Sequence, residues 1–226
     1  YNNTMLYPEK LFTSRKVILE MLEKRGFNVD SYKNYSLVEI EAMRSSSVSK
    51  STKATSEIQP LDILTEKNKD GNKALVKYVF SSKIKVLTIA SLLLELKENE
   101  ILNEGDTFII VTKDRNVGKA SGQDTIIESQ LTALFNEHKV FVQMFWIDKL
   151  ITNILDHEIV PEHNVITFEE KEKLIEKYKI SSYNQLPLIL KTDPVAMFLG
   201  MKRGDVCKIT APSETSGEYI SYRYCQ

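Results

Sequence analysis

With only two cysteines, three histidines and eight glycines in 226 residues, several classes of chemistry are closed to this chain. Cys207 and Cys225 are too few for a disulfide framework. Without a secretory leader pattern, they are expected to pack as thiols in a reducing compartment. His138, His157 and His163 do not make a metal centre. His157 and His163 flank a Val-Pro turn, and even with both cysteines they lack the paired ligand spacing of a zinc site. The glycines do not cluster after a strand, so no phosphate-cradling loop is present. No Gly-x-Ser-x-Gly elbow supports nucleophilic catalysis. No apolar run approaches the roughly 20 residues that span a bilayer. The expectation is a soluble, intracellular protein with no membrane partner, no small-molecule substrate and no cofactor.

What is present is ordinary for a globular protein: 42% hydrophobic and 27% charged residues, with a net charge of −1. The length accommodates one large domain or two smaller ones. Basic and acidic residues balance in both halves, so totals alone do not announce nucleic-acid binding. The window Arg44–Lys85 is the exception, with nine basic and four acidic residues. Such a charge run reads first as a solvated face.

The N-terminal part opens with a helix over Glu9–Arg25, where Leu11, Ile18, Met21 and Leu22 share a face and Gly26 stands at the C′ position. Ser36 with Glu39 forms a capping-box pattern that starts a second helix. Ser45–Ser56 is polar and of low complexity, and reads as a mobile loop. Strands are expected at Ile58–Thr65, Lys73–Phe80, Thr107–Thr112 and Lys139–Trp146, alternating with helices at Ile84–Lys97, Thr125–Glu137 and Asp148–Asp156. This alternation argues an α/β layer on a mixed sheet.

A second domain is expected from about residue 158. Thr167 and Glu170 make another capping box, and loss of the Thr167 cap would cost about 1 kcal/mol. Asp193 and Pro194 suit the N-cap and first position of a short helix that Gly200 ends. Asp205–Thr210 and Glu218–Cys225 read as paired strands around the polar turn Pro212–Gly217. Alternation places Tyr222 and Tyr224 on one face of the second strand and Tyr219 on the other. Ser213, Glu214, Thr215, Ser216 and Gly217 form a presentation loop with no fixed catalytic partner for its hydroxyls or carboxylates.

Five ordered blocks carry a resemblance: HEIVPEH (157–163), QLP (185–187), DPVA (193–196), LGMKRGDV (199–206) and SETSGEYISYR (213–223). They resemble the assembly domain of the small subunit shared by nuclear RNA polymerases I, II and III, and its archaeal H-type counterpart. MLEKRGFNV (21–29) and QMFWIDKLITNILDHEIVP (143–161) are similar, more loosely, to the family's jaw domain. The resemblance implies an α+β protein with an α/β jaw over 1–157, similar to restriction endonucleases in fold, and a small α+β assembly domain over 158–226. It implies a non-catalytic polymerase subunit in the nucleus, or at a virion or cytoplasmic viral transcription site if virally encoded.

By the same resemblance, the assembly domain docks on the largest polymerase subunit beside other small subunits. The positions carried over are Pro161, His163, Pro187, Asp193, Pro194, Gly200, Arg203, Gly204, Ser213, Glu214, Thr215, Gly217, Tyr219 and Arg223. The jaw faces downstream double-stranded DNA through the loop after TFIIVT, where Lys113, Arg115 and Lys119 can reach phosphates without reading bases. Two departures stand out: Ala211 and Glu218 replace residues that are basic in the family. The rival readings are a free-standing nucleic-acid-binding adaptor and a metal-dependent nuclease. The nuclease lacks its carboxylate, because Val111 stands two positions before Lys113.

Overall fold

The computed structural model describes residues 7–50, 56–68, 70–80, 86–113 and 123–226. They fall into two units, Tyr1–Thr152 and Asn153–Gln226, each built on its own four-stranded mixed sheet. The fold class is α+β.

In the first unit, β1 (Ile63–Glu66), β2 (Lys73–Val79), β3 (Thr107–Thr112) and β4 (Phe141–Trp146) lie side by side in that order. β1 pairs antiparallel with β2, and β2–β3–β4 are parallel, with Val76, Ile109 and Gln143 in register. Parallel neighbours require crossovers, and α3 (Val86–Glu98) and α4 (Gln123–His138) lie in those connections. Ile89, Leu92, Leu93 and Leu96 of α3 form a stripe with helical period. With Leu131 and Leu134 of α4, they bury against Leu75, Phe108, Ile110 and Val142. Tyr78, which points to the other face, meets Ser14 and Arg15 of α1 (Tyr7–Lys24). Covered on both sides, β3 is buried at every position, which is why its sequence is a continuous apolar run without alternation.

The hydrocarbon layer on the α3 side holds an ion pair. Lys77, 2% exposed, stands between Leu75 and Val79 and places Nζ 2.9 Å from Asp62 Oδ2. The ammonium also donates to the Glu57 carbonyl at 2.7 Å, and Asp62 accepts from the N–H groups of Gln59 and Tyr78. Burial pushes the Asp62 carboxyl up, and Lys77 and those N–H groups pull it back.

Three elements differ from the sequence reading. α2 (Leu37–Lys50) runs on through Ser45–Lys50, inside the segment expected to be a loop; residues 51–55 lie outside the described residues. Three serines there bond to the helix backbone, Ser45 Oγ donating to the Glu41 carbonyl and Ser46 and Ser47 Oγ to that of Met43. β1 begins at Ile63 because Gln59 and Asp62 close a turn before it. Asp148–Asp156 is not one helix but two 3-10 turns, Ile147–Leu150 and Ile154–Asp156. The Asn153 side chain accepts from Leu155 N–H and starts the second turn afresh.

In the second unit, β5 (Glu162–Val165), β7 (Val206–Ser213), β8 (Gly217–Cys225) and β6 (Leu188–Ile189) lie in the order β5-β7-β8-β6. α6 (Pro194–Leu199) covers one face, where Ala196 and Met201 meet Ile189, Cys207, Ile209 and Cys225. Leu174 of α5 (Phe168–Tyr178) covers the other, with Ile166, Val206, Tyr222 and Tyr224. Both expected caps are formed: Thr167 accepts from Glu170 N–H while Glu170 accepts from Thr167 N–H, and Asp193 accepts from Val195 N–H. The backbone hydrogen bond from Thr167 holds the Glu170 carboxyl below its usual range.

Asp62→Ala should destabilise the chain by about 3–5 kcal/mol in chemical denaturation, because it leaves the Lys77 ammonium buried without a counter-charge. The double change Asp62→Leu with Lys77→Met should recover most of that loss. A single-variant cost within experimental error of zero would contradict the pair's burial.

Candidate functional site

In the second unit, α6 packs on the sheet as far as Ile209 and α5 as far as Tyr222. Toward the other end, β5 accompanies β7 as far as Thr210, and Ala211–Tyr219 projects as a two-stranded tip. At this tip, Ala211 faces Tyr219 and Pro212 faces Glu218. The strands run further than the sequence reading placed them, so the turn narrows to Glu214–Ser216. Gly217 closes it at φ 75°, with open space where a Cβ would stand. Ser213 Oγ accepts from Ser216 N–H at 3.4 Å, and Ser216 Oγ donates to the Glu218 carbonyl at 3.0 Å. The hydroxyls thus hold the turn itself together, which leaves no activated nucleophile.

The residues carried over from the resemblance separate into two groups by what their polar atoms do. Pro161, His163, Pro187, Asp193, Pro194, Gly200 and Gly204 build the unit. His163 Nδ1–H donates to the Pro161 carbonyl at 2.7 Å, and the Pro187 carbonyl accepts from Tyr224 N–H at 2.9 Å. Asp193 and Pro194 start α6, and Gly200 ends it at φ 68°. Gly204 N–H donates to the Cys225 carbonyl, and its own carbonyl accepts from Lys171 Nζ at 3.1 Å. Arg203, Glu214, Thr215, Gly217, Tyr219 and Arg223 are exposed, and Ser213 is half-buried among them. Tyr219 is 61% exposed. Tyr222 and Tyr224 pack inward on the opposite face, as the alternation requires. Among the described residues, Arg223 reaches the Leu188 carbonyl at 3.4 Å.

Both cysteines are buried, and neither forms a disulfide. Burial pushes the Cys207 thiol up to about 11, which makes it an inert packing group. Among the described residues, no three His, Cys, Asp or Glu side chains gather in a way that could hold a metal.

In the first unit, Lys113 stands exposed just past β3, with Nζ 5.2 Å from the centre of the Tyr7 ring. Arg115 and Lys119 lie outside the described residues. Sequence reasoning missed Ile220, Leu188 and Leu190, all exposed apolar side chains on or beside β8. The available signal was Ile220 itself, an apolar residue that continues the face of Tyr222 and Tyr224 toward the polar turn, beyond the core those tyrosines join.

Gly217→Ala should cost about 1–2 kcal/mol of stability through its left-handed backbone alone. A wild-type denaturation midpoint in that variant would show that the turn relaxes to negative φ.

Residues 152–225 match the family model described as RNA polymerase Rpb5, C-terminal domain. Over 95% of its length the chain is 33% identical to the Caenorhabditis elegans "DNA-directed RNA polymerases I, II, and III subunit RPABC1", covering 94% of that protein. It is 33% identical to the corresponding Dictyostelium discoideum subunit, over 96% of this chain and 97% of that one.

Proposed function

The chain belongs to the RNA polymerase Rpb5 family and is a non-catalytic RNA polymerase subunit; from that premise we propose how its two parts divide the work. The assembly domain, 158–226, docks on the largest polymerase subunit beside neighbouring small subunits. The jaw, 1–157, contacts double-stranded DNA entering the cleft, and the complex works in the nucleus. One observation carries this reading: the likeness to relatives named as shared polymerase subunits runs through both units and not the second alone. The tip supports the docking role, because it presents Tyr219 and Glu214 while the Ser213 and Ser216 hydroxyls serve the turn.

Ala211 and Glu218, where the family carries basic residues, lie at the tip on adjacent rungs. The tip is therefore less cationic here, and the docking contact relies on Arg203 and Arg223 for positive charge. Guanidinium groups pair with carboxylates through two parallel hydrogen bonds, which suits them to an acidic surface on the partner.

A tagged copy of the chain, purified natively, should bring down the two largest polymerase subunits in a one-to-one ratio by mass spectrometry. Recovery as a free protein at every salt concentration would sink the proposal and favour the free-standing adaptor. For the jaw, neutralising Lys113, Arg115 and Lys119 together should shorten the lifetime of elongation complexes. It should also lower the slope of log affinity against log salt, by up to about 0.9 for each phosphate no longer neutralised. An unchanged slope would remove this loop from the DNA contact.

A further inference from the structure

The two sheets treat their outer strands differently. The outer edge of β1 is closed by its own chain: Tyr32 Oη donates to the Leu64 carbonyl and accepts from Leu64 N–H, and Asn28 N–H donates to the Glu66 carbonyl. Phe27 adds a bridge to Lys67. Open edges invite unwanted strand pairing, and this is the usual protection against it.

Among the described residues, β8 has no such cover over most of its length. β6 pairs with it only at Tyr224 and Cys225, and Pro187, which lacks an N–H, precedes that short pairing. The direction of each β8 rung follows from the bonds at that end. Tyr224 N–H donates outward to the Pro187 carbonyl, whereas Cys225 N–H donates inward to Asp205. Backbone groups alternate sides along a strand. The N–H and C=O groups of Ile220 and Tyr222, and the N–H of Glu218, therefore point outward from β8 with no strand beside them among the described residues.

The side chains along this edge fit an extended guest. Ile220 is 43% exposed on one face and Tyr219 stands exposed on the other, so both flanks offer apolar area to alternating side chains. Arg223 lies beside the same edge, exposed and without an ion pair among the described residues. We propose that the Glu218–Tyr222 edge of β8 is a strand-addition site. An extended segment of the polymerase partner, apolar on alternate residues and carrying a carboxylate opposite Arg223, joins the sheet there as an added strand. Main-chain hydrogen bonds would give this contact its affinity, and the apolar flanks and Arg223 its specificity. The inference rests on the docking role of this domain and specifies the mode of that docking.

The test replaces Ile220 with proline, which removes an outward N–H and leaves every bond to β7 intact. Ile220→Thr is the companion variant, since it keeps the N–H and trims the apolar side chain. In the native purification, Ile220→Pro should fall at least about tenfold in polymerase recovery, more than Ile220→Thr. Hydrogen exchange provides a readout that needs no variant. The amides of Glu218, Ile220 and Tyr222 should exchange freely in the isolated chain and be protected in the assembled polymerase. Fast exchange of all three amides in an assembled wild-type complex overturns the strand-addition mode while leaving the docking role standing. A wild-type chain absent from polymerase overturns the docking role itself. Concentration-dependent dimers that Ile220→Pro abolishes, with wild-type polymerase recovery for that variant, would assign the edge to a second copy and overturn the proposal.

Discussion

The backbone of Tyr224, Cys225 and Gln226 ties the second unit together. Tyr224 and Gln226 donate to Pro187 and Ile189 on one side, while Cys225 donates to Asp205 and accepts from Gly204 on the other. Gln226 also accepts from Lys191 N–H. These bonds join β6, the turn before β7 and the end of β8 in one network. At this end, half-buried Tyr224 on one face and buried Cys225 on the other join the two cores. With one end of the hairpin so firmly fixed, the other end needs no core of its own and can project.

The same arrangement explains why the C-terminal unit is chemically idle. Several of its carboxylates and hydroxyls serve caps and turns: Asp193 in α6, Thr167 and Glu170 in α5, Ser213 and Ser216 in the hairpin. Its thiols sit in hydrocarbon. These groups have local partners, while Glu214, Glu218, Tyr219 and Arg223 stand exposed.

Much of this is legible in the sequence, for identifiable reasons. Caps are local, so Ser36–Glu39, Thr167–Glu170, Asp193–Pro194 and Gly200 stand where sequence spacing puts them. The bounds of β3 can be read directly because a doubly covered strand is an uninterrupted apolar run. The reading fails where tertiary contacts or unexpected backbone bonds decide. Ser45–Lys50 reads as disorder by composition, yet three of its serines bond to their own helix. Asp148–Asp156 has helical spacing, but Asn153 restarts the turn. The Asp62–Lys77 pair could not be foreseen, since nothing local marks an acid before one strand and a lysine within the next as partners. The β8 edge was equally hidden: an unpaired strand side is a property of topology, and no residue type encodes it.

The buried ion pair also constrains which sheets the first unit can assemble. Asp62 immediately precedes β1, and Lys77 occupies the position opposite it in β2, one step beyond the Ile63–Val76 pairing. If the hairpin slipped by one residue, every side chain would exchange faces and the ammonium would be stranded in hydrocarbon away from its carboxylate. Among hydrophobic strands that would otherwise tolerate several alignments, this salt link works as a proofreader, admitting one register and penalising its neighbours.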